Sequence, residues 1–242
     1  MLGAMSEAFQ GMRRPLLLRG LVLLCAAVLT ACSASPALPR APRSVADVSG
    51  YRDTLAGAGT RYAIDAAASQ LSIHVFRGGR AARLGHNHVL GAPQLEGRIL
   101  VPDEDPTQTQ FSLRLRLDQL EVDAPSARQR TGGNFAAPRS ASDVEGTRRN
   151  LLKSLDADRY PDVVINSLTI AGDWPVFVAE LAVTLHGVTR TERTPLQVSR
   201  NNDTLQVRGA LALCQSDYGI APYSVLGGVL AVQDALAIEF AL

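Results

Sequence analysis

The chain has 242 residues, of which 46% are hydrophobic and 5% aromatic, and its formal net charge is +1. That length is enough for one domain with a sizeable core. So balanced a charge excludes the electrostatic footprint of a nucleic-acid-binding protein.

The N-terminus reads first. Arg13, Arg14 and Arg19 form a basic region, and residues 20–29 are an apolar run followed by Thr30, Ala31 and Cys32. The run is too short to span a membrane and fits a cleaved export signal. Small residues ending in cysteine resemble the bacterial lipoprotein signal. That resemblance implies that residues 1–31 are removed and that Cys32 is acylated as the first mature residue. Ser33 after it, rather than Asp, implies the outer membrane, with the domain in the periplasm. Residues 32–60, rich in Ala, Pro, Ser and Gly, read as a tether. Cys25 leaves with the signal and Cys32 carries lipid, so Cys214 is left alone. No intrachain disulfide is then expected, and Cys214 reads as a buried small hydrophobe.

The domain is expected over residues 61–242. Within 71–90, Leu71, Ile73 and Val75 alternate with Ser72, His74 and Phe76, and Gly78-Gly79 suggests a tight hairpin turn. A return strand would carry His86, Asn87 and His88. The same alternation recurs at Phe111, Leu113, Leu115 and Leu117. It recurs again at Phe177, Ala179, Leu181, Val183 and Leu185, at Leu205, Val207, Leu211 and Leu213, and at Leu236, Ile238, Phe240 and Leu242. Such alternation predicts an all-β, antiparallel barrel or sandwich of about eight to ten strands. Pro195 points to an edge or bulged position. One short helix interrupts the strands. Ser142 and Glu145 have the spacing of a capping box, with Val144, Leu151, Leu152 and Leu155 on one face and Tyr160-Pro161 as the stop. Before it, residues 124–141 are polar and aperiodic, and read as a disordered loop or a cap over an opening.

Four fragments then line up: Tyr62-Ala63-Ile64-Asp65 with Ser69; Tyr160-Pro161-Asp162-Val163-Val164 with Ser167; Leu185-His186-Gly187-Val188-Thr189-Arg190; and Ser216-Asp217-Tyr218-Gly219-Ile220. In this order and spacing they resemble the YceI-like family. The resemblance covers residues 61–242 and implies a lipocalin-like barrel. It further implies a long apolar pocket for a polyisoprenoid or similar amphiphile, and no catalysis. The residues agree: a barrel of about eight strands either fills with side chains or encloses one small ligand, and an aliphatic lining suits an alkyl or prenyl chain. Leu113, Leu115, Val183 and Leu211 are the expected lining, with His86 and His88 as polar contacts.

Residues i and i+2 on a strand share a face, so His86 and His88 could also hold a metal ion or ligate a haem. That makes a metal- or haem-binding module the rival to the lipid carrier, and a filled interaction module for an envelope-stress partner the third reading. No cofactor is required by any motif. Contiguous His86-Asn87-His88 lacks the ββα spacing of an HNH nuclease. No G-x-S-x-G, P-loop or carboxylate pair points to an enzyme.

Overall fold

Alternating apolar residues draw most of the chain into a single antiparallel sheet. The computed structural model describes residues 50–242; the expected signal peptide, Cys32 and the first part of the expected tether lie outside the described residues. The strands are β1 (Thr60–Ala63), β2 (Gln70–Gly78), β3 (His88–Gly91), β4 (Glu96–Val101), β5 (Gln110–Arg116), β6 (Glu121–Val122), β7 (Asp162–Asp173), β8 (Val176–Leu185), β9 (Val188–Asn201), β10 (Thr204–Cys214), β11 (Ser224–Val225) and β12 (Leu230–Ala241). They pair in the order β1-β4-β5-β7-β8-β9-β10-β12-β2-β3-β6, with β11 on β12, and curl into a lipocalin-like half-barrel. Twelve strands exceed the eight to ten expected, since β6 and β11 have two residues each and are too short to show a period.

The inward residues are the alternating set. Leu71, Ile73 and Val75 of β2 and Leu236, Ile238 and Phe240 of β12 join one core with Leu113, Leu181 and Leu213. A register shift between Ser167 and Thr169 passes the inward role in β7 from Val163 and Ile165 to Ile170. Gly209 takes the inward slot between Val207 and Leu211. A Cβ there would lie 2.6 Å from the Phe240 ring and 2.8 Å from the Pro195 carbonyl oxygen. Pro195 sits in a strand with neighbours on both sides, but the β9–β10 ladder ends at Leu196, so the missing N–H costs that ladder nothing.

Among the described residues two helices, not one, accompany the sheet: α1 (Pro125–Thr131) and α2 (Ala141–Ser154). The capping box on α2 lies two residues before the predicted one. The Ser140 hydroxyl accepts from Asp143 N at 3.1 Å, and the Asp143 carboxylate accepts from Ser140 N at 3.4 Å. Asp therefore plays the part expected of Glu145. Residues 124–141 are neither disordered nor a lid. They form α1 and a 3₁₀ turn whose Phe135 packs with Val89, Ala124 and Ala127 on the outer face of β2 and β3. The outward His74 and Phe76 rings meet Phe135 edge-on, at 5.4 and 5.8 Å.

The hairpin of 71–90 is also longer than predicted. Val75 pairs with His88 and His74 with Val89, so nine residues, 79–87, connect the strands. From Gly50 the expected linker lies along the sheet: Arg52 N donates to Ser112 Oγ (2.9 Å), and Arg52 Nε donates to Asn166 Oδ1 (3.1 Å). Cys214, at the end of β10, is half-buried rather than fully enclosed.

Candidate functional site

The strand directions divide the barrel into two ends. The hairpins β4–β5, β7–β8 and β9–β10 gather at one. At the other lie α2, the two-residue β8–β9 turn and the 3₁₀ segment Gln215–Tyr218. Three of the four family-like fragments converge at this helix end. His186 and Gly187 make the turn with φ of 54° and 73°, and a Cβ on Gly187 would lie 2.5 Å from the Tyr160 ring. His186 Nδ1–H donates to the Tyr218 carbonyl (3.2 Å), and Arg190 Nε donates to that of Asp217 (2.8 Å). Tyr218 is fully buried, and its hydroxyl donates to Glu192 at 3.2 Å. Burial, and then the Glu192 charge, push that hydroxyl far above its usual range. His186 thus serves as a turn residue.

Between the ends runs a cavity of about 610 Å³. Small-molecule pockets span about 300–1,000 Å³. Leu113, Leu115, Val183 and Leu211 all line it, as do Phe177 and Phe240. Its wall is aliphatic along the shaft. Asp65, Asp203 and Arg208 lie towards the hairpin end, and α2 places Leu151 and Leu155 against the other. Leu236, Ile238 and Phe240 all point inward yet keep partial exposure, because the space before them is empty.

The two histidines part company. His86 precedes β3, is exposed and does not line the cavity, so the shared strand face expected for His86 and His88 does not exist. The connection is too long for β3 to begin before His88. Among the described residues, no three His, Cys, Asp or Glu side chains cluster as metal ligands.

His88 does line the cavity, and it is held from behind. Its Nδ1 is 2.6 Å from Asp123 Oδ2. A carboxylate only accepts, so Nδ1 carries the hydrogen. Asp123 Oδ1 accepts from Val89 N (3.0 Å) and from Arg128 Nη1 (2.5 Å). Arg128 is itself buried, donating to the carbonyls of Asn87 (3.0 Å) and Ala137 (2.9 Å). Burial would raise the Asp123 carboxyl. The hydrogen bonds from His88, Val89 and Arg128 outweigh it and hold the group below its ordinary range. Asp123 and Arg128 were hidden in a stretch without periodicity. The one usable signal was Pro125, a residue favoured at the first position of a helix.

The domain model that matches the chain is the YceI-like domain, over residues 62–242. Among solved structures the chain is similar to BcnA of Burkholderia cenocepacia, with 14% identity and a TM-score of 0.54, covering 74% of this chain and 97% of that one. It is also similar to the YceI protein of Campylobacter jejuni, with 12% identity and a TM-score of 0.43, covering 63% and 82%. A comparison with curated proteins finds no match.

Two predictions follow from this geometry. Leu117 and Leu211 both border the cavity, but Leu117 is packed, with 2% of its surface exposed, whereas Leu211 stays half-buried against the open space. Leu117→Ala should cost about 2–5 kcal/mol in urea unfolding and Leu211→Ala only about 1 kcal/mol, since no new void is made. Equal losses would mean a filled interior. Asp123→Asn strands Arg128 and should cost about 3–5 kcal/mol near neutral pH. A carboxyl depressed in the fold stabilises it above an unfolded value of about 3.9, and this is lost as pH falls through the folded value. The gap between wild type and Asp123→Asn in chemical unfolding should therefore narrow below about pH 4; a constant gap would contradict the assignment.

Proposed function

Starting from the fact that the chain belongs to the YceI-like family, we propose that it is an exported binding protein that holds a polyisoprenoid or similar amphiphilic lipid and catalyses no reaction. The observation that carries the reading is the hollow between two aliphatic sheet faces, lined by residues such as Leu113, Val183 and Leu211. Water in such a space gains few hydrogen bonds, and each CH₂ moved into it from water is favoured by about 0.8 kcal/mol. A branched prenyl chain suits walls of Leu, Ile and Val, whereas a sugar or base would ask for more polar groups than the shaft offers.

Attachment through Cys32 completes the proposal. A lipid on Cys32 would hold the barrel at the periplasmic face of the outer membrane, within reach of the lipids it carries. A carrier that exchanges an insoluble guest gains from such tethering, because the local concentration of membrane is raised. The metal or haem reading has weaker support, since His86 lies off the strand and away from the cavity.

Purified full-length protein, denatured and extracted with organic solvent, should release a prenyl lipid at about one per chain by mass spectrometry. Repeated absence of any lipid, including after expression in an envelope-bearing bacterial host, would refute the carrier role. Separately, Cys32→Ser should move the protein from the membrane to the soluble fraction and remove the acyl mass from its N-terminus. Unchanged fractionation would reject the anchor while leaving the cavity reading intact.

A further inference from the structure

His88 places a hydrogen-bonding atom on the cavity wall beside Val75 and Leu90, while α2 adds Thr147, Asn150 and Ser154 to the same end. Its Nδ1–H is committed to Asp123, which fixes the ring's orientation as second-shell carboxylates do for working histidines. Nε2 has no hydrogen bond among the described residues, and the side chain keeps 17% of its surface exposed on the cavity wall. In the neutral ring with hydrogen on Nδ1, Nε2 is a lone-pair acceptor. The carboxylate behind it is already balanced by the buried Arg128. The network is therefore complete without a second cation.

We propose that His88 is the seat of the ligand's polar end, and that this end is a neutral hydroxyl, an alcohol or a phenol, lying at the helix end with the apolar chain running towards the hairpins. The inference rests on the lipid-carrier reading and names the chemistry of that site. The hydroxyl donates to Nε2. A carbonyl head group would bring a second acceptor and gain nothing from Nε2. A phosphate would need cations beside it, and among the described residues no Lys or Arg lines the cavity next to His88. Arg128 is spent on Asp123, Asn87 and Ala137, Arg148 on the Leu120 and Asp118 carbonyls, and Arg190 on Asp217. Arg208, the only Lys or Arg among the described residues lining the cavity, lies towards the hairpin end. The position of His88 supports the orientation. It pairs with Val75 in the second half of β2, beside Leu236, four strand positions from the Leu71 and Phe240 pair.

The test uses the delipidated full chain and three probes with one tail: geranylgeraniol, its methyl ether and its monophosphate. A hydroxyl that donates to a buried acceptor is worth about tenfold in affinity. Wild type should bind the alcohol about tenfold more tightly than the ether and the phosphate. His88→Leu should bind alcohol and ether alike, at the affinity wild type shows for the ether. Adding the alcohol to wild type should also shift the ¹⁵N resonance of His88 Nε2 while the ether does not, a readout that needs no variant. Equal binding of alcohol and ether by wild type, a preference that survives in His88→Leu, or tighter binding of the phosphate would overturn the assignment of His88 and leave the carrier reading standing. Failure of all three probes to bind would overturn both.

Discussion

A sheet with a period of two sends half of its side chains inward, and here that half is too small for the space it encloses. The inward positions hold Leu, Ile and Val with slots given to Ala179 and Gly209, and the rings are few, chiefly Phe111, Phe177 and Phe240. A globular core of this size closes by interdigitation at crystal-like density. This one leaves about 610 Å³ between its walls. The unfilled wall forfeits dispersion contacts and keeps apolar surface next to solvent, so the empty barrel is less stable than the filled one. A bound chain restores those contacts and stabilises the fold by mass action.

The hollow persists because its ends are held by polar contacts rather than by the core. At the helix end, Arg148 ties α2 to the Leu120 carbonyl, and Gln215 and Ser216 grip the irregular stretch of β12 through the Gln233 carbonyl and the Asp234 side chain. Asp123 does the same from behind β3, with a backbone φ of 53° that fits the chain's turn out of β6. Both oxygens of its carboxylate are occupied, which is what a buried charge requires. The same contacts that brace the wall also orient His88, so structure and site share one network.

Much of this was legible in the sequence, and the reason is periodicity. Leu113, Leu115, Val183 and Leu211 sit in long strands whose alternation admits only one inward face. What the sequence concealed was set by contacts distant along the chain. Asp123 reaches His88 across 35 residues, and nothing local marks either partner. Residues 124–141 looked aperiodic because they pack by one aromatic ring, Phe135, and one arginine rather than by a stripe. The Gly78-Gly79 pair suggested a tight turn, but β2 continues through Gly78 and only Gly79 takes a positive φ of 84°. That misplacement moved His86 onto a strand it does not occupy.

The central claim is an accessible, water-shunning interior, and xenon tests it without reference to any particular lipid. Apolar cavities with room for a guest take up xenon, whereas packed cores do not. A crystal of the delipidated protein under xenon pressure should show anomalous density between Leu113, Val183, Leu211 and Phe240. A shaft free of xenon, with those side chains in contact across it, would contradict the account.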